Sequence, residues 1–93
     1  MQFTWDTKKN EANKQKHRVS FEAATFVFSD PFTISLVDER FDDERWISIG
    51  KAGNRILYVA HTVGTDDHEE VIHIISAREA VSQERRFYHS HER

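Results

Sequence analysis

The run Arg55-Ile56-Leu57-Tyr58-Val59-Ala60-His61-Thr62-Val63, echoed by Val71-Ile72-His73-Ile74-Ile75-Ser76, decides the fold. Both stretches are rich in β-branched and aromatic residues. Their nearly unbroken apolar character predicts central strands covered on both faces. The polar stretch 64–70 between them is short, which favours an antiparallel pair joined by a loop. If that hairpin closes around residues 66–68, His61 and His73 become cross-strand neighbours on one face.

Further strands precede this pair. Residues 50–54, Gly-Lys-Ala-Gly-Asn, form a hairpin turn. Before it, 45–49 alternates Ile47 and Ile49 with Trp46 and Ser48, and 32–37 alternates Phe32, Ile34 and Leu36 with Thr33 and Ser35. An acidic loop, 38–44, joins these two strands. After the central pair, Ser76-Ala77-Arg78-Glu79 has the spacing of a capping box and starts a helix that runs to about His89. At the amino end, 3–5 is a short strand. Asp6 caps a polar helix over 7–17, and Ser20 caps a second helix with Phe21, Ala24, Thr25 and Phe28 on one face. Asp30-Pro31 ends it. The order β-α-α-β-β-β-β-α predicts an α+β domain over 1–93, with an antiparallel sheet, two amino-terminal helices and one carboxy-terminal helix.

Composition narrows the function. The chain has 93 residues, no cysteine and a net charge of −3. Disulfides and cysteine-ligated zinc are excluded, which fits a reducing compartment. The start Met1-Gln2-Phe3-Thr4-Trp5-Asp6 lacks the apolar core of a signal peptide, and no run is long enough to span a membrane. A cytoplasmic protein is expected. Charge is unevenly spread: residues 1–18 carry five cations against two carboxylates, and 22–44 carry seven carboxylates against one cation. The basic start suits RNA and the acidic middle suits a basic partner, although ordinary solvated faces give the same counts. No metal-ligand spacing, phosphate-binding glycine loop or nucleophile elbow is present. No metal or other cofactor is expected.

Three groups of residues are candidates for chemistry. Lys9, Asn13, Lys16 and His17 share one helical stripe, a place normally apolar. The stripe either presents donors to phosphate or belongs to a plain surface helix. His61, with His73, is either a proton-transfer group or a satisfied sheet histidine. Arg78 is expected in the first turn of the last helix, where a cation opposes the helix dipole, with Arg85 two turns on. The planar forks of these arginines suit phosphate, or equally a carboxylate such as Glu44 or Glu84.

The pattern as a whole resembles a known family. Phe3-x-Trp5-Asp6-x-x-Lys9-x-x-x-Asn13-x-x-Lys16-His17, then Val19-Ser20-Phe21-Glu22-x-Ala24 and Asp30-Pro31, is similar to the amino-terminal half of BrnT toxins. Glu44-Arg45 with Ile49-Gly50, then His61-Thr62, Ile74-Ile75-Ser76-Ala77-Arg78-x-Ala80 and Glu84-Arg85-x-x-Tyr88, resembles the remainder. The chain departs from the pattern at Arg18, where a glycine is usual, and at His73, where an arginine is usual. The resemblance implies a RelE-like fold and a ribonuclease toxin of a type II toxin–antitoxin pair. It further implies neutralisation by a BrnA-type antitoxin in a hetero-oligomer, with DNA contacted only through that antitoxin. Cleavage of RNA without a metal needs a base for the 2′-hydroxyl, an acid for the leaving 5′-oxygen and cations for the phosphorane. His61 is the candidate base or acid, Arg78 and Arg45 the charge stabilisers, and Lys9, Lys16, His17 and Arg85 the RNA binders. A degenerate toxin that only binds partners is the competing expectation.

Overall fold

A computed structural model describes residues 1–92. The elements are β1 (Gln2–Thr4), α1 (Thr7–His17), α2 (Phe21–Ala24) continuing as a 3-10 turn (Thr25–Ser29), β2 (Ile34–Val37), β3 (Trp46–Ala52), β4 (Arg55–Asp66), β5 (Glu69–Glu79) and α3 (Ser82–His91). One five-stranded sheet has the order β1-β5-β4-β3-β2. The α+β class is as the sequence predicts. The sheet, however, is mixed: β1 runs parallel to β5, pairing Gln2 with Val71 and Thr4 with His73. The chain leaves β1 through α1 and α2, and a crossover of that kind delivers parallel neighbours.

The β4–β5 hairpin differs from expectation in three ways, through its turn and a register shift between Ala60 and His61. Its turn is only Asp67-His68, both at positive φ (48° and 68°), so most of the expected polar loop is strand. Asp and His tolerate that left-handed region better than most side chains. A turn centred there pairs His61 with Ile74 and Thr62 with His73. A one-residue slip moves a side chain to the other face, so His61 and His73 point to opposite sides. Finally, β5 stays paired through Tyr58↔Arg78 and Leu57↔Glu79. The Ser76–Glu79 capping box is therefore not made, and Arg78 is a strand residue. The helix begins later, where Glu84 accepts the Val81 N–H at 2.9 Å.

Each sheet face carries a core. Leu57 and Val59 of β4 and Ile72, Ile74 and Ala77 of β5 pack under Val19, Phe21, Ala24 and Val27. On the opposite face Ile47, Ile49 and Ile56 pack with Ala80 and Tyr88. Tyr88 is pinned by its hydroxyl, which donates to Asp30 Oδ2 at 2.6 Å; the same oxygen accepts from the Lys51 N–H at 2.8 Å. Gly50 is required where β3 passes the 3-10 turn: a Cβ there would collide with Thr33 and come within 2.9 Å of Val27 Cγ1.

Helix α1 has almost no apolar face, and asparagines hold it instead. Asn13 is buried and donates to Val19 O (2.9 Å) and Ala77 O (2.7 Å), while its Oδ1 accepts from Ala77 N (3.2 Å). Its amide thus pairs with the outer edge of β5 as a neighbouring strand would. Asn10 Oδ1 accepts from Phe21 N at 2.8 Å and its amide donates to Glu22 at 2.9 Å. The polar stripe is therefore divided: Asn13 faces the protein and Lys9 and Lys16 face solvent. Arg18 ends the helix at φ 60°, in the left-handed position.

Candidate functional site

Strand alternation places Tyr58 and Arg78 side by side on the face that carries α3. The Arg78 guanidinium lies over the Tyr58 ring, 4.0 Å from its centroid. Its Nη1 and Nη2 donate to Glu84 Oε1 and Oε2 at 2.8 and 2.9 Å, and Nη1 also reaches Glu79 O at 3.2 Å. The fork is thus fixed from three directions: a strand neighbour, a helix carboxylate and a backbone carbonyl. Burial pushes the Glu84 carboxyl up, but the Arg78 fork and the Val81 N–H outweigh it and hold the carboxyl below its usual range. Glu84 in turn raises Arg78 further above its already high value.

The 38–45 loop bends over the same face. Asp38 is buried and ties Arg40 through a fork of 2.8 and 2.8 Å, and the Asp38 N–H donates to Arg45 O at 2.8 Å, closing the loop base. Arg40 comes close to Tyr58 and to Arg78. Arg45 stacks on Phe41, 4.1 Å from the ring centroid, and its Nε donates to Asp43 at 3.2 Å. Arg40 and Arg78 are thereby gathered about Tyr58, and Arg45 sits in the same loop as Arg40. Such an array offers planar donors to phosphate oxygens and a ring for a base to stack on.

Of the residues singled out from sequence, Arg78 lies here, and Arg45 lies at the base of the adjoining loop. His61 does not. It is 2% exposed on the opposite face, edge-on to Phe28 at 4.9 Å. Its Nδ1 faces Thr62 O at 3.3 Å, so the ring proton sits there and Nε2 accepts from Ser48 Oγ at 2.7 Å. Burial lowers its pKa, which keeps the ring neutral. His73 shares the Arg78 face, farther along the ladder, bonded to Thr4 Oγ1 at 2.8 Å. Arg85 is exposed but turned back on its own helix start, donating to Ala80 O (2.6 Å) and Ser82 Oγ (3.2 Å). Lys9 and Lys16 are exposed on α1 and make no salt bridge among the described residues; His17 is half-buried beside them. Sequence reasoning missed Arg40 and Tyr58. Arg40 was legible only as the lone cation in an acidic loop, and Tyr58 only as a strand aromatic. No trio of His, Cys, Asp or Glu among the described residues is placed to hold a metal. No helix of the structure is long and apolar enough to cross a membrane.

A search among curated proteins gave no match. The family model described as the ribonuclease toxin BrnT of type II toxin–antitoxin systems matches residues 5–84. That span runs from Trp5, which packs edge-on against Phe21, to Glu84, the carboxylate that grips Arg78. Since the match covers most of the 93 residues, the chain belongs to the BrnT family of type II ribonuclease toxins.

Proposed function

We propose that this chain, acting over 1–93 as one RelE-like toxin unit in the cytoplasm, cleaves RNA internally on its arginine-bearing sheet face without a divalent metal, and that a BrnA-type antitoxin neutralises it. The observation that carries the reading is the Arg78 guanidinium, fixed by Glu84 and Tyr58 with Arg40 close by. Preorganised charge stabilisation is usually the largest single contribution to such catalysis, and the clamped Arg78 fork supports that role. In the proposed reaction the RNA 2′-oxygen attacks the adjacent phosphorus and the 5′-oxygen departs, leaving a 2′,3′-cyclic phosphate. Arg78 neutralises the charge that grows on the phosphorane, and Arg45 and Arg40 receive it with the flanking phosphates. Tyr58 and Glu84 are the adjoining groups able to move a proton. His61, neutral and bonded at both nitrogens, supports β3 and β4 from behind rather than touching RNA. Lys9, Lys16 and His17 lie on α1 and guide the strand toward the sheet, with Arg85 contributing once it leaves its own helix start.

One observation favours the competing reading of a partner-binding module. Each arginine of the array already has a carboxylate: Asp38 for Arg40, Asp43 for Arg45 and Glu84 for Arg78. RNA must compete with these for the guanidinium donors. The deciding experiment incubates purified protein with a labelled RNA in excess chelator and follows the cyclic-phosphate product. Cleavage there supports the proposal. Activity that appears only when magnesium or zinc is added sinks the metal-free route. No cleavage under either condition, together with normal growth on expression, favours the binding module.

A further inference from the structure

We propose that the groove between β2 and α3 is where the antitoxin docks, through a basic amphipathic segment whose apolar residues fill the groove. This rests on the toxin reading above and adds its place of regulation. The groove encloses about 390 Å³ and is lined by Leu36, Ile49, Gln83, Glu84 and Phe87. Leu36 is 45% exposed and Phe87 36%. Single exposed apolar residues are ordinary, but several converging on one groove beside an outermost strand mark an interaction surface.

Charge identifies the occupant. The chain leaves β2 directly into Asp38, Glu39, Asp42, Asp43 and Glu44, and Arg40 among them is already committed to Asp38. Carboxylates in this number draw lysine and arginine, so the groove suits a basic protein segment. Position supplies the consequence. Glu84 forms one wall of the groove and grips Arg78 with both carboxylate oxygens. A segment seated there lies against the arginine face and closes it to RNA.

The test uses the full chain and its purified cognate antitoxin, with binding kinetics followed on a surface sensor. Leu36→Ser combined with Phe87→Ser should lower the melting temperature only modestly, because both are partly exposed, and leave antitoxin-free RNA cleavage unchanged. It should speed dissociation at least about tenfold, since truncating apolar anchors is where interface energy is lost. Asp42→Asn, Asp43→Asn and Glu44→Gln together should slow association at low salt and match the wild type at high salt. A complex indifferent to both sets of changes overturns the groove while leaving the toxin reading standing. A wild-type chain that binds no antitoxin removes that reading and the groove with it. If the chain alone sediments as a dimer that Leu36→Ser dissociates, the groove belongs to a second copy and the proposal falls.

Discussion

Replacing Arg78 with alanine separates its structural from its catalytic role. The guanidinium makes two charged hydrogen bonds to Glu84, at 2.8 and 2.9 Å, and stacks on Tyr58 at 4.0 Å. Its side chain is 34% exposed, so solvent screens the pair and its contribution lies toward the surface end of the range. With the aromatic contact included, the loss of stability should be about 1–2 kcal/mol. Glu84 keeps the Val81 N–H and is 20% exposed, so water can solvate the carboxylate left behind. A loss of that size leaves a typical domain folded. The effect on cleavage should be larger: removing one aligned charge stabiliser lowers the rate about 10²–10³-fold. Arg78→Lys keeps the charge but not the fork, and should fall between. Single-turnover cleavage of a labelled oligoribonucleotide, with thermal melts on the same samples, measures both quantities. A folded Arg78→Ala protein that cleaves within about threefold of wild type would show that the tyrosine-stacked arginine is a structural clamp and place the chemistry elsewhere.

Asn13→Ala should cost about 3 kcal/mol, because it strips partners from Ala77 N–H, Ala77 C=O and Val19 C=O in a buried setting; a denaturant midpoint equal to wild type would show that water replaces the amide. Arg18→Gly should stabilise by about 1 kcal/mol, since Arg18 holds a left-handed φ of 60° that glycine adopts without strain; a lower melting temperature would mean the arginine side chain outweighs that strain. His61 has a pKa held below 6.5 by burial, so the unfolded chain takes up its proton first as pH falls. The His61 contribution is therefore complete above about pH 6.5 and is lost as pH drops from there toward the folded-state pKa, after which it is flat. His61→Gln should flatten melting temperature against pH between 8 and 5, and an unchanged slope would contradict a neutral buried ring. Lys9→Ala with Lys16→Ala should reduce the salt dependence of RNA binding by about 0.7 in log–log slope for each phosphate contact removed; an unchanged slope would take α1 out of the RNA path.

The sequence revealed features set by local chemistry. Asp6 and Ser20 cap their helices as their neighbours predict, accepting from Lys9 N and Ala23 N, and the apolar runs of β4 and β5 are central strands. It concealed what depends on distant pairing. Nothing near Gln2–Thr4 says that its partner is Val71–His73, far along the chain. Ser76-Ala77-Arg78-Glu79 has helix-start grammar, yet continued pairing with Leu57 and Tyr58 keeps it extended. Hydrogen bonds to a neighbouring strand outweigh a local cap. The site was half legible for the same reason. Arg78 and Arg45 stand out by type, but that Tyr58 pairs with Arg78 and that His61 lies behind the sheet follows from the β4–β5 turn and the register shift at Ala60/His61. Asn13 attracted notice as a polar residue on a stripe, and its role as an edge hydrogen-bonder depends on Ala77, 64 positions away.

That role of Asn13 also limits how the sheet can grow. A flat ribbon with two open margins can add copies at both ends and lengthen into a filament. Here β1 covers β5 over Val71–His73, Asn13 occupies the margin at Ala77, and the amino terminus and Gln2 clasp Glu69 at 3.0 Å each. The two margins left are β1, three residues long, and β2, four. Very short edge strands recruit poorly, so a protein free of its antitoxin offers little margin from which a fibre could propagate.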